Sequence, residues 1–337
     1  MVAKLEGASR SNDFPQDYLC WVISDGTAGM HAQSVAVAQA LDVPYYDVRI
    51  FASPIYRLFP QMGAVPFMPI SPRRSDRKLG PPWPDLVITT GKRTTGAALA
   101  IKRLSGGKTK IIQVQDPKIN PAHFDVMIVP KHDALSQSGL PHIVPIMGSL
   151  NKFTMPQIAT ESKAVRKKFA KITSAKTAVM IGGTNRRYKA SPSDFYALGQ
   201  KLADYAKQAK THLILISSRR TPKQGMAALQ EGLGKIRYSL WDHKGDHKSD
   251  NPYPGILAVV DDVIVTSDSV NMVSEACLTG KPVYVAELQA ETGRIAAFHQ
   301  MMMTAGHTKW LGQAFTAPPV ILDQSAYVAE QVKKHLI

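Results

Sequence analysis

Several turns along the chain place glycine, hydroxyl or guanidinium groups directly after an apolar run. They read SDGTAGMHAQ (24–33), TGKRTTG (90–96), QDPKINP (115–121), GGTNRRYK (182–189), SSRRTPK (217–223) and TSDS (266–269). The chemistry these residue types offer is anion binding. Glycine lets backbone N–H groups approach a phosphate, a helix start adds unpaired amides, and a guanidinium meets two phosphate oxygens at once. Gly182, Gly183 and Thr184 read as a turn that a phosphate approaches, in preference to a merely tight turn, and Arg219 or Arg220 as its bidentate ligand, with plain salt bridges as the alternative. Thr221 followed by Pro222 reads as an N-cap and first helical residue, which aims that helix start at the same anion. Ser267 and Ser269 extend the phosphate seat. Asp268 between them would repel a phosphate, so it reads as a helix N-cap or as an acceptor from hydroxyl groups. Asp25 and His31 are the groups suited to moving a proton. An imidazole titrates nearest neutrality. Both also have plainer roles in a turn, and the residues alone do not choose between them.

Other chemistries lack their motifs. The chain has no G-x-S-x-G elbow, no G-x-x-x-x-G-K-[ST] loop and no complete G-x-G-x-x-G after a strand. No His, Cys and Asp cluster has metal-ligand spacing, so no metal is expected. DHKGDHK (242–248) reads as a solvated loop, and Asp261-Asp262 as the turn that starts a strand. Cys20 and Cys277 each lie in an apolar segment and read as buried, reduced thiols.

These groups need a scaffold that collects turns at one edge. The apolar runs at 18–24, 44–50, 85–90, 110–115, 124–130 and 142–146 read as strands, with helical stretches at 32–41 and 93–104. A second series has strands at 177–184, 212–217, 236–241, 261–267 and 282–287, with helices at 156–170, 192–208, 222–232 and 269–279. Continuous apolar strands alternating with helices argue for parallel sheets covered on both faces. Two such series predict an α/β protein of two doubly wound, Rossmann-like domains facing a cleft. Ligands of such sheets lie at the carboxyl ends of the strands, where the polar turns fall.

The 337 residues suit two domains. Residues 1–17 read as a flexible lead, 18–150 as an N-terminal acceptor-side domain and 156–324 as a C-terminal nucleotide-side domain. The last helix, within 325–337, is placed to pack across to the first domain. The lead has no apolar core of the kind a signal peptide needs, and no run is long enough to span a membrane. The expected location is the cytoplasm, peripheral to the inner membrane.

Lys and Arg number 41 against 26 Asp and Glu, a formal charge of +15. Such an excess points to an anionic partner. Aromatics make up only 7%, and no nucleic-acid recognition signature appears, so nucleic acid is disfavoured. The stretch 51–84 combines apolar residues, prolines and arginines. It reads as a surface loop, or as a flap docking on anionic lipid.

The stretches SDGTAGMHAQ, PDLVITTGKRT, VQDPKINPAHFDVMIVPKHD, MIGGTNRRY, SSRRTP and DNPYPGILAVVDDVIVTSDSVNMVSEACLTGKPVYV together resemble the mitochondrial-fission ELM family, in a bacterial form. That family resembles, more distantly, glycosyltransferases of the two-Rossmann-domain GT-B type, among them the peptidoglycan enzyme that adds N-acetylglucosamine to a lipid-linked acceptor. The resemblance implies a metal-independent transferase that needs no cofactor and takes a nucleotide-diphosphate sugar as substrate. A lipid-linked or lipopolysaccharide-core acceptor would follow. In such transferases a glutamate five residues before a glycine binds the nucleotide ribose, which here is Glu275 before Gly280. Asp25 or His31 would then take the acceptor's proton and Arg220 would stabilise the leaving diphosphate. The turn SDGTAGMHAQ departs from the glycine run of the transferases. The alternative is a non-catalytic binding or scaffold protein on a membrane surface that keeps the fold alone.

Overall fold

The computed structural model describes residues 5–6, 13–15, 17–51, 75, 80–184, 188–243, 252–290 and 292–336. The chain forms two units, one of Met1–Lys152 with Asp323–Ile337, the other of Phe153–Leu322.

The first unit holds β1 (Leu5–Glu6), β2 (Cys20–Ser24), helix α1 (Ala28–Ala40), β3 (Tyr45–Arg49), β4 (Leu86–Thr90), α2 (Lys92–Leu104), β5 (Lys110–Val114), β6 (Val126–Pro130) and β7 (Ile143–Ile146). The sheet order is β1-β3-β2-β4-β5-β6-β7, parallel except for β1. Successive residues of β2 go to opposite faces, and both faces are dry. Val22 joins Ile88, Ile112 and Ile128 under α1, while Trp21 and Ile23 join Val87, Ile111 and Met127 under Ala97, Ala98 and Ile101 of α2. That two-sided burial explains the unbroken apolar runs.

The second unit holds α3 (Met155–Phe169), β8 (Ala175–Ile181), α4 (Pro192–Ala209), β9 (Thr211–Ser217), α5 (Lys223–Leu233), β10 (Tyr238–Trp241), α6 (Tyr253–Val259), β11 (Asp262–Thr266), α7 (Val270–Cys277), β12 (Val283–Ala286), α8 (Gly293–Thr304) and β13 (Lys309–Trp310). Its all-parallel sheet runs β10-β9-β8-β11-β12-β13. In each unit the strand order reverses direction once, between β2 and β4 and between β8 and β11. Connections leave such a point toward opposite faces and open a crevice there, at the carboxyl ends.

The final helix, α9 (Ser325–Leu336), is part of the first unit, with Val328 and Val332 buried in its core. Gln324, just before it, clasps Met147 through two hydrogen bonds of 2.7 Å, accepting from its N–H and donating to its carbonyl.

Three expectations change. Leu5–Glu6, in the expected lead, pair with Tyr45–Tyr46 as an antiparallel edge strand. Helix α1 begins at Ala28, four residues before the expected start, so His31 lies in its first turn and not at the end of a loop. Helices α6 and α8 stand where no helix was expected. In α6 the prolines of NPYPG sit at or before the helix start, where the missing N–H groups have no helical partner to lose. The expected 51–84 flap lies largely outside the described residues, because 52–74 and 76–79 are not among them.

Candidate functional site

In the second unit the turns after β8, β9 and β11 meet on one carboxylate. Asp268 lies just past β11, its side chain fully buried. Its Oδ1 accepts from the Thr266 hydroxyl at 2.7 Å, and its Oδ2 from the Gly183 amide at 3.2 Å. The Arg220 guanidinium, one third exposed, completes the set at 2.7 Å from Oδ2. Thr266 in turn accepts from the Gly182 amide at 2.8 Å. A buried carboxylate is tolerable only with such partners. The groups expected to hold a phosphate therefore already hold an anion, supplied by the protein.

This geometry revises several expected roles. The paired glycines make room for protein groups. A Cβ on Gly182 would lie 2.1 Å from Asp268 Oδ1, and one on Gly183 would lie 2.2 Å from the Arg220 carbonyl oxygen. They are also remote from a helix start, since α4 begins at Pro192 under its own capping box of Ser191 and Asp194. Thr221 does not cap α5. It is buried, donates to the Ile181 and Gly182 carbonyls at 2.8 and 2.7 Å, and accepts from the Ser218 amide, stitching the β9 turn onto the β8 turn. Asp268 is not the cap of α7 either. Ser269 is, accepting from the Met272 amide. Ser267 points into the core, where its hydroxyl shares a 2.8 Å hydrogen bond with Tyr188 and its carbonyl meets His299 Nε2 at 2.8 Å. The exposed groups of these turns are Thr184 and Arg219. Asn185, Arg186 and Arg187 lie outside the described residues.

Glu275 is half-buried on α7 and accepts from the Tyr253 hydroxyl at 2.8 Å. Tyr253 opens α6 and stacks edge-on against Phe153, with ring centroids 5.9 Å apart. Its burial, with the neighbouring carboxylate, pushes its hydroxyl well above the usual phenol range, so it stays a donor to Glu275. Tyr253 escaped the sequence reading because only the fold brings α6 beside α7.

In the first unit an acid–arginine pair likewise spans the crevice. Asp25, after β2, lies 3.0 Å from Arg93 Nη1 in the first turn of α2, after β4. Asp25 also accepts from the Thr27 amide at 2.9 Å, closing its own turn. Burial would raise its carboxyl, but the hydrogen bonds from Thr27 and the Arg93 charge outweigh it and hold the group below the usual carboxylate value. A carboxylate so held is a weak proton acceptor. His31 has a different partner, its Nε2 lying 2.8 Å from Asp47 Oδ2 on β3. The signal for Asp47 was a lone carboxylate in the apolar run YYDVR. Behind this edge Gln113 donates to the carbonyls of Gly91, Val114 and Gln115. Gln115 adopts φ +65 and reaches Gln33 of α1 at 3.3 Å. A non-glycine residue in that region is held there by its surroundings.

Burial pushes both thiols, Cys20 and Cys277, above the ordinary range, so neither is a ready nucleophile. Among the described residues no group of three or more His, Cys, Asp or Glu side chains could hold a metal ion. Nor is any helix among them long and apolar enough to cross a membrane.

The family model described as mitochondrial fission ELM1 matches residues 28–336. An uncharacterized protein of Rickettsia prowazekii is 28% identical over 298 residues, 79% of this chain and 82% of that protein. The Arabidopsis thaliana mitochondrial fission protein ELM1 is 27% identical over 292 residues, 75% of this chain but only 64% of the plant protein. Among solved structures, the UDP-GlcNAc 2-epimerase of Neisseria meningitidis bound to UDP-GlcNAc is similar at a TM-score of 0.54 and 13% identity, covering 94% of this chain and 99% of that one. The UDP-GlcNAc 2-epimerase of Methanocaldococcus jannaschii also reaches 0.54, at 12% identity, with 95% and 91% covered. At such identities the likeness is one of fold.

Proposed function

Because this chain belongs to the mitochondrial fission ELM1 family and pairs its strand-end turns through Arg–carboxylate contacts, we propose that it binds a nucleotide-diphosphate sugar on its second unit and transfers the sugar without a metal. The observation that carries this reading is the Arg220 guanidinium, fixed at the crevice by Asp268 yet one third exposed. A fixed guanidinium is pre-organised for a diphosphate leaving group, whose charge grows as the glycosidic bond breaks. Arg219 and Thr184 are exposed in the adjoining turns and would supply further contacts. Glu275, held by Tyr253, would accept from the ribose hydroxyls. On the first unit His31, whose Nε2 lies 2.8 Å from Asp47 Oδ2, is the group proposed to take the acceptor's proton, in preference to Asp25. The +15 charge supports an anionic acceptor such as a lipid-linked or lipopolysaccharide-core sugar of the cell envelope. That the Neisseria protein of similar fold binds UDP-GlcNAc makes UDP-GlcNAc the first donor to try.

The test is calorimetric titration with UDP, GDP, CMP and their sugars, followed by product analysis of any that bind. Saturation at a hundredfold excess over Kd should stabilise the protein by about 2.7 kcal/mol. Binding of one nucleotide series, with release of the nucleotide when acceptor is added, supports transfer. Conversion of the bound sugar to its epimer with no acceptor would favour epimerisation, which the fold also accommodates. Failure of every nucleotide to bind would favour the non-catalytic scaffold.

A further inference from the structure

A dense cluster of cations in the second unit lies at the opposite end of its sheet from Arg220. Helix α3 runs into the amino end of β8, and its last turns carry Lys163, Arg166, Lys167 and Lys168, with Lys171 in the turn beyond. All five are exposed. Lys163 and Lys167 stand four residues apart on one stripe of the helix, with Arg166 and Lys168 on its flanks and Lys171 following in the turn. Among the described residues no ion pair joins any of the five to a carboxylate. Arg166 Nε reaches only the Ser162 hydroxyl at 3.5 Å, and Lys168 Nζ stands 5.9 Å from the ring centre of Phe169. Glu161 is the acidic residue of the helix.

Like charges four residues apart repel, and the helix end offers them only about half an elementary charge in return. An uncompensated cluster of this density suits an external anion. The stripe opposite it is already spent. Ile158, Val165 and Phe169 are buried, and α3 packs so closely on α6 that a Cβ on Gly255 would lie 2.6 Å from both the Glu161 carbonyl oxygen and Val165 Cγ2. Apart from Met155 at its start, the helix therefore shows no large apolar side chain among the described residues to insert into a bilayer. It also has no exposed aromatic ring on which a nucleic-acid base could stack, a contact that single-strand binders use. A row of compact ammonium groups with one guanidinium matches a plane of phosphate headgroups.

We propose that the outward face of α3, from Lys163 to Lys171, is a docking surface for an anionic lipid membrane, held by charge alone. This does not depend on the nucleotide-sugar reading, since the patch lies at the other end of the sheet. The test is co-sedimentation of the full chain with vesicles of phosphatidylcholine, with and without phosphatidylglycerol. Compared with it are the variant K163Q/K167Q/K168Q/K171Q and a control, K201Q/K207Q/K210Q, that removes exposed lysines on and just after α4. Thermal melts confirm that each is folded. Each cation near an anionic surface is worth about fivefold in partitioning, so the α3 variant, which loses four, should bind roughly 600-fold more weakly. The control should stay within about tenfold of the parent, because long-range charge is screened over about 10 Å in 0.1 M salt. Binding should require phosphatidylglycerol and vanish at about 0.5 M salt. Equal loss in both variants, no binding by the parent, or binding that survives high salt would overturn the proposal. So would patch-dependent retention of single-stranded RNA without vesicle binding.

Discussion

The Arg220 guanidinium lies 2.7 Å from the Asp268 carboxylate, and the turns after three neighbouring strands, β8, β9 and β11, are tied together through that contact. Losing either partner leaves a buried or half-buried charge alone. R220A should therefore destabilise the second unit by about 3 kcal/mol, because the fully buried Asp268 loses its counter-ion. Lost activity in R220A alone would then be ambiguous. The pair R220Q/D268N should recover most of that stability in a urea melt while remaining unable to hold a diphosphate. D268N by itself keeps the side-chain shape and an acceptor for Thr266, so it should stay folded. It also frees the guanidinium from its internal anion, so UDP should bind more tightly to D268N than to the parent by calorimetry. Weaker binding would mean that the carboxylate itself contacts the ligand.

The glycine pair makes a second prediction. A methyl at Gly182 would occupy the place of Asp268 Oδ1, and one at Gly183 would meet the Arg220 carbonyl oxygen. Backbone and a buried ion pair do not give way easily. G182A and G183A should each cost about 2 kcal/mol or more in denaturant melts without any ligand present. If the glycines served only a ligand's phosphate, both variants would melt like the parent and differ only in nucleotide binding.

That point marks the limit of what the sequence discloses. The alternation of apolar strands and helices is legible because each strand is buried on both faces, and the positions of the polar turns follow from it. A glycine pair looks the same whether it admits a ligand or the protein's own carboxylate. Ser267 reads as part of a phosphate seat and Thr221 as a helix cap until the turns fold over them. The partnerships Asp25–Arg93 and His31–Asp47 require β4 and β3 to flank β2, which strand order decides and local pattern does not.

Acid stability should depend on Asp125. Burial opposes its charge, but Lys102 at 2.6 Å, the Ile111 amide at 2.8 Å and Lys110 at 3.3 Å prevail, so its folded value is lowered. A lowered carboxylate adds stability that is complete above its unfolded value, about 3.9, and is lost as pH falls through the folded value. D125N should be less stable than the parent by about 1–2 kcal/mol at pH 7. The difference should shrink below about pH 4. Melts across that range check both the gap and its closure. A gap that is constant with pH would assign the cost to packing.

Asp262 should behave in the opposite sense. Burial raises its carboxyl despite a hydrogen bond from Tyr205, and its Oδ1 has no hydrogen-bond partner among the described residues. A raised carboxyl adds stability at low pH, lost as pH rises through the folded value, so at pH 7 its charge is a net cost. D262N should melt at the same temperature as the parent or higher at pH 7. It should lose that advantage in acid.

The two proton-transfer candidates separate on their partners. Asp25 is committed to Arg93 and to its own turn, and its lowered value makes it a poor acceptor near neutrality. His31 stands on the first turn of α1 with its Nε2 2.8 Å from Asp47 Oδ2. With UDP-GlcNAc as donor and UDP release as readout, H31Q should lower kcat by about 10²–10⁴-fold and leave KM for the donor nearly unchanged. D47N, which removes the charge beside the ring and leaves the ring in place, should lower kcat less, by about tenfold. D25N should cost stability through the loss of its Arg93 contact while keeping kcat within about tenfold of the parent. A kcat that collapses in D25N but survives in H31Q would transfer the role of base to the carboxylate.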